Sequence, residues 1–185
     1  NDGMDMATER GESVAFSALY AGNMHQLAQW VRSLDSLGVS QVTLAAEILP
    51  LLDSLGTPID YNSVAAKRAS LSGFYQSCGH ALSGEKVAVP LESLEKDLAA
   101  KADWLANHIR SSEWLQNKDG YGWFNSYYDN DGQRVEGDHP NGVRMILTGQ
   151  VFSLMGGVAN IQQAVEIVKS ADRYLWDPSV GGYRL

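Results

Sequence analysis

The chain has a single cysteine, Cys78, among 185 residues. That excludes an internal disulfide and any metal site built from several thiolates. It also has no excess of positive charge: 14 Lys and Arg stand against 22 Asp and Glu, a formal net charge of −8. Phosphate backbones and anionic membranes attract clustered cations, so nucleic acid and membrane are not expected partners. No apolar run approaches the roughly 20 residues that cross a bilayer. Nor is there a charged leader followed by an apolar stretch. With the lone thiol, these features make the cytoplasm the expected location. The four histidines never form HxxxH or HExxH, so no zinc site is expected.

What is present fits a soluble globular domain with a real core: 44% of residues are hydrophobic and 19% charged. Five Trp and eight Tyr add flat aromatic faces. Beside acidic partners such faces suit sugars, and they serve equally as core and rim packing.

Helical spacing dominates. Residues 12–34 place Val14, Leu19, Met24, Leu27 and Val31 on one stripe, and Gly22 inside it lets a second helix come close. Residues 40–55 read as a second helical region, with Pro50 ending, kinking or restarting it. Gly56, Thr57 and Pro58 mark a turn. Residues 63–82 form a third helix with Ser63 as its cap. Residues 91–112 are the clearest helix: Leu91, Leu94, Leu98, Ala102, Leu105 and Ile109 are buried, while Glu95, Lys96, Asp97 and Lys101 face water. Two more helices follow at 143–155, closed by Gly156 and Gly157, and at 161–175, capped by Asn160.

Between the helices lies one long non-helical stretch, 119–142, "DGYGWFNSYYDNDGQRVEGDHPNG". Its "DNDG" is a turn signal between "WFNSYY" and a return strand in "QRVEG". Asp129, Asp131, Glu136 and Asp138 alternate there with Asn130, His139 and Asn141. Such a loop is a solvated hairpin, a Ca²⁺ loop without EF-hand spacing, or a polar rim for sugar hydroxyls. The expected fold is mainly α with one short β-hairpin-like excursion. An α/α toroid, a bundle and an α-solenoid all fit the pattern.

The opening "NDGMD…GES" followed by an apolar helix resembles the inverting β-glucoside phosphorylases of the cellobiose-phosphorylase family (glycoside hydrolase family 94). The long segment "GWFNSYYDNDGQRVEGDHPNGVRMILTGQVFSLMGG" and the tail "VGGYRL" resemble a later part of the same catalytic domain, closest to the branch of 1,2-β-oligoglucan phosphorylases. The first motif is short and the second much more specific. Together they extend the resemblance over essentially the whole chain.

The resemblance implies that residues 1–185 are a single domain, roughly half of a catalytic (α/α)6 barrel truncated at both ends. It implies inverting phosphorolysis of β-linked gluco-oligosaccharides to α-glucose 1-phosphate. Inorganic phosphate would be the co-substrate, and neither metal nor organic cofactor would be needed. The family motif reads Asp-Trp-Asn-Asp-Gly-Met, and its first Asp is the general acid. Because the Asn of that motif is Asn1, the acid falls just upstream, and no residue here is expected to be catalytic. The family's phosphate-binding residues find no match either. Asn1 and Asp2 are carried over as residues at the mouth of the site. Trp123, Glu136, Asp138, Gln150, Tyr183 and Arg184 are expected to line or support substrate binding. The apolar faces that half a barrel would expose imply association into homo-oligomers. Alternatives are a hydrolase on the same barrel and a non-catalytic helical module, either sugar-binding or scaffolding.

Overall fold

The computed structural model describes residues 9–55, 58–79 and 81–185. Asn1, Asp2 and the rest of the opening motif to residue 8 lie outside the described residues, as do Gly56, Thr57 and His80. In chain order, β1 (Glu12–Ser13) runs into α1 (Val14–Ser36). Then β2 (Gln41–Ala45) leads into two 3-10 helices, Ala46–Leu51 and Asp53–Leu55, followed by α2 (Val64–Cys78), β3 (Lys86–Pro90) and α3 (Leu91–Ser112). The stretch before α4 (Leu147–Met155) holds β4 (Trp114–Gln116), β5 (Gly122–Phe124), β6 (Tyr127–Tyr128), β7 (Gly137–His139) and β8 (Gly142–Arg144). Last come α5 (Ile161–Tyr174), β9 (Trp176–Asp177) and β10 (Gly182–Tyr183). The fold is mainly α. Among the described residues the strands pair antiparallel as β1–β6, β2–β3, β4–β5, β7–β8 and β9–β10.

Two compact units are distinguished, one made of the chain up to Asn23 with Ala102–Leu185, the other of Met24–Lys101. In the second, the helical region expected over 40–55 is formed only in part, as the 3-10 helices Ala46–Leu51 and Asp53–Leu55. Gln41–Ala45 instead pairs with Lys86–Pro90, opposing Val42 to Val89 and Leu44 to Val87. Val42, Leu44, Val87 and Val89 share one face of this ribbon, where cross-strand packing outweighs the weak helical preference of the stretch. Pro50 is accommodated inside a 3-10 helix. The expectation of a single β excursion is corrected by the same ribbon. Asp97, expected to face water, is buried in α3 and ion-paired with Lys101 one turn on. Lys101 also lies 3.6 Å from Asp53, whose carboxylate accepts the Tyr61 hydroxyl at 2.5 Å. Burial beside two carboxylates holds the Tyr61 phenol above its ordinary pKa. Ser63 caps α2 as expected, accepting the Ala66 N–H.

The first unit holds the main core: Ala18, Ala21, Ala106, Ile109, Trp123, Phe124, Met145, Val158, Ile167, Ala171 and Leu175. The stripe expected on α1 is only partly the buried one. In the part of α1 that belongs to the second unit Ala28 and Val31 are buried and Leu27 is 44% exposed; in the first unit the buried positions are Ala15, Ala18 and Ala21. Small residues face inward because a backbone comes too close for larger ones. A Cβ on Gly22 would stand 2.7 Å from the Cα of Gly156, and one on Gly156 would stand 2.1 Å from the Ala18 carbonyl oxygen. Gly156 is the C-cap of α4, and Asn160 opens α5 with a capping box closed by Gln163, both as expected. Large apolar side chains also face solvent; Tyr20, Trp30, Met155 and Ile161 are each more than half exposed.

This close approach has a direct test by urea denaturation. Gly156→Ala should lose about 2 kcal/mol or more, because the added methyl meets a backbone oxygen that no rotamer can move. Gly73→Ala, in exposed α2 with no atom within 4 Å of the added methyl, should instead gain about 0.5–1 kcal/mol. Equal, near-zero effects of the two would contradict the packing described.

Candidate functional site

Ser126 sits where the two motif-bearing stretches of the sequence meet. In "WFNSYY", Phe124 ends β5 and Tyr127 begins β6, so Asn125 and Ser126 form the joint between two different sheets. β6 pairs with β1, setting Glu12 opposite Tyr128 and Ser13 opposite Tyr127. The Ser126 carbonyl accepts the N–H groups of Val14 (2.9 Å) and Ala15 (3.1 Å), two of the donors that a helix start leaves unpaired. Ser13 caps the same helix through the Phe16 N–H at 3.2 Å. Just upstream, Asn130 Oδ1 accepts the N–H groups of Glu9 (3.0 Å) and Arg10 (2.8 Å). The chain leading into α1 is thus fastened to the 119–142 segment at three points.

Behind Ser126 lies a buried carboxyl. Glu136, only 2% exposed, accepts the Ser126 N–H on one oxygen and the Ile146 N–H (2.7 Å) on the other. Gln150 Nε2 adds a third donor at 3.3 Å. Gln150 is itself fully buried and clamps the Phe124 peptide, its Oε1 accepting the N–H (2.9 Å) and its Nε2 donating to the carbonyl (2.8 Å). Gly149 is required beside it, since a Cβ there would fall 1.6 Å from Ser126 Oγ. The "TGQ" of the resembling segment therefore has a physical reason at its last two positions. Burial pushes the Glu136 carboxyl up to about 7, against the lowering effect of hydrogen bonds from the Ser126 side chain, the Ile146 and Ser126 N–H groups and Gln150.

A second buried carboxylate closes the network. Glu113, just past α3, accepts the Tyr128 hydroxyl at 2.9 Å on each oxygen and Asn125 Nδ2 at 3.1 Å. Arg134 Nε lies 3.7 Å from it. Burial holds the Tyr128 phenol above its ordinary pKa, so it remains a donor to Glu113. The expected turn at "DNDG" is present: Asp129 Oδ1 accepts the N–H groups of Asp131 (2.9 Å) and Gln133 (2.8 Å), and Gly132 takes a φ of +73°. The return strand is reduced to a bridge of Tyr128 with Arg134 and a bond from the Val135 N–H to the Tyr127 carbonyl.

The residues expected at the site separate into three groups. Trp123, Glu136 and Gln150 are all buried, Trp123 in the apolar core and the other two hydrogen-bonded to each other. Asp138 is exposed in β7, opposite Val143. Tyr183 and Arg184 belong to the β9–β10 hairpin. Tyr183 donates to Asp172, and the Arg184 N–H bonds to the Leu175 carbonyl at 2.9 Å. A side-chain contact from Arg184 to the Tyr174 carbonyl (3.4 Å) and the 5.7 Å spacing of the Tyr174 and Trp123 rings join this hairpin to the buried group. Asn1 and Asp2 lie outside the described residues. Sequence reading missed Glu113, Asn125, Ser126 and Tyr128. The available signal was the Asn-Ser pair inside an aromatic run, since buried amides and hydroxyls need partners. No group of three or more His, Cys, Asp or Glu among the described residues is arranged to hold a metal ion.

The raised Glu136 carboxyl has a pH signature. A group whose folded pKa exceeds its unfolded value stabilises fully below the unfolded pKa, and that contribution is lost as pH rises through the folded pKa. Unfolding free energy should therefore fall between about pH 4.5 and 7, by a Glu136 share on the order of 3 kcal/mol. Glu136→Gln should flatten this slope in denaturation at pH 5 and pH 8, and an unchanged slope would contradict the assignment. Comparison with known protein families and with curated proteins finds no match.

Proposed function

We propose that this chain is a sector of the catalytic (α/α)6 barrel of an inverting β-glucoside phosphorylase that acts on β-linked gluco-oligosaccharides with inorganic phosphate. The observation that supports this most is the pairing of the two stretches carrying the family resemblance. "GES" and the residues before it are joined to "WFNSYYDN" through β1–β6, the Ser126 carbonyl and Asn130, contacts spanning more than 110 residues of sequence. Stretches that resemble separate motifs of one active site are expected to be neighbours in space.

In this reading the chemistry needs one proton donor. An inverting hydrolase uses an acid on the leaving oxygen and a base that activates water on the opposite face. Phosphate is already an anionic nucleophile, so the base is dispensable and a cradle of cations or N–H groups takes its place. The resemblance puts the acid two residues before Asn1. The residues of this chain then act by position: Ser126, Asn130 and Glu136 fix the path of the backbone between the acid-bearing motif and α1. A displacement of 1 Å at a reacting group lowers rates substantially, which gives a buried, many-donor anchor a functional use. Exposed apolar residues of α1, α4 and α5 support the reading of these helices as part of a larger helical ring, and of the isolated chain as self-associating.

The full-length protein carrying this sequence should release α-glucose 1-phosphate from a β-gluco-oligosaccharide only when phosphate is supplied. Free glucose released without phosphate would make it a hydrolase instead. Oligosaccharide binding without any turnover would make it a binding module. The isolated 185-residue chain should scatter light as a dimer or larger species, and a monodisperse monomer would count against the ring sector.

A further inference from the structure

A cavity of about 360 Å³ opens beside the C-terminal half of α5, lined by Tyr121, Lys169, Asp172 and Arg173. It is shallow and largely open to solvent. Lys169, Asp172 and Arg173 are spaced i, i+3 and i+4, so they share one face of α5. Tyr121 comes from the turn before β5, and its placement is rigid. Asn117 Oδ1 accepts the Tyr121 N–H at 2.9 Å, Asn117 Nδ2 donates to the Tyr174 hydroxyl at 2.6 Å, and the two tyrosine rings meet edge-on at 5.3 Å.

The polar groups around the cavity are of both kinds. Asp172 Oδ1 accepts the Tyr183 hydroxyl, which fixes the carboxylate, while Oδ2 makes no hydrogen bond among the described residues. Lys169 is paired with Glu166 at 3.0 Å and keeps donors to spare. The Arg173 side chain is exposed and forms no ion pair or hydrogen bond among the described residues. Next to them, Trp176 and Tyr183 stand in a T-shaped pair 5.2 Å apart, each 43% exposed. A fixed acceptor, a planar donor fork, an ammonium and an ordered aromatic ring are what a neutral polyol uses, because each hydroxyl both donates and accepts. An anion would face the Asp172 carboxylate, and a purely apolar ligand would strip water from three charged groups.

We propose that this cavity is a carbohydrate-binding site for one or two units of a neutral oligosaccharide, a docking point separate from bond cleavage. Asp172 and Arg173 contact the sugar, and Tyr183 acts through Asp172 by orienting it. The choice of β-linked glucose oligomers as ligand rests on the phosphorylase reading; the polyol chemistry of the cavity does not.

The test is an NMR titration of the 185-residue chain with cellotriose and with a β-1,2-linked glucotriose, in phosphate-free buffer. Saturable shifts should appear at Tyr121, Asp172 and Arg173. Asp172→Ala and Arg173→Ala, both exposed substitutions, should each weaken binding at least about tenfold. Lys118→Ala, also exposed but outside the cavity lining, should not. Unchanged affinity in both cavity variants, or shifts confined to other residues, would overturn the site. So would saturation of the same residues by inorganic phosphate alone, which would make it an anion site. Because no turnover is measured, absence of phosphorolysis in the full-length protein would leave this result standing, and intact phosphorolysis would not rescue a failed titration.

Discussion

The position of Ser126 is the constraint from which the first unit follows. Its N–H is held by Glu136, its carbonyl caps the first residues of α1, and its hydroxyl lies against the Gly149 backbone of α4. One residue thereby ties an N-terminal helix, a strand joint and a late helix. Those elements come from sequence regions too far apart to find each other through local preference. Loop closure of this kind costs entropy that only buried, well-satisfied contacts offset. Glu136 and Gln150 provide them as a closed set, with each carboxyl oxygen of Glu136 and each end of the Gln150 amide engaged. A buried polar network left half-satisfied would be worse than an apolar core, so these residues act together or not at all.

The same network explains why the 119–142 segment, rich in turn residues, is an ordered wall rather than a loose loop. Its acids divide by environment. Asp129 shapes its own turn, Glu136 is interior with an elevated pKa, and Asp138 faces solvent. Glu113 draws Asn125 and Tyr128 toward the end of α3. Function on such a wall falls to the groups it holds in place, and to the outer surface where the C-terminal hairpin presents Trp176 and Tyr183.

Helices with strong periodicity or caps were legible from sequence: α3, α5 with its Asn160 box, α2 with Ser63. The close approach allowed by Gly22 was legible in kind, although the partner, Gly156, was not. The misreadings have a common physical origin in tertiary context. Gln41–Ala45 is a strand only because Lys86–Pro90 lies beside it. Asp97 is buried because Lys101 neutralises it within the helix. Of the expected site residues, Glu136 and Gln150 lay within the resembling segment, yet their mutual hydrogen bond and interior position could not be inferred from spacing. Glu113 and Ser126 became visible only when the chain was seen folded.

Amide hydrogen exchange tests the Glu136–Gln150 anchor most directly. The N–H groups of Phe124, Ser126 and Ile146 should exchange only through global unfolding, as slowly as the interior of α3. In Gln150→Ala the Phe124 amide should exchange at least about a hundredfold faster, relative to α3, than in the parent chain. Exchange of these three amides in the parent chain at the rate of the exposed turn at Asp131 and Gly132 would contradict an anchored Ser126, and with it the account of how the two motifs are held together.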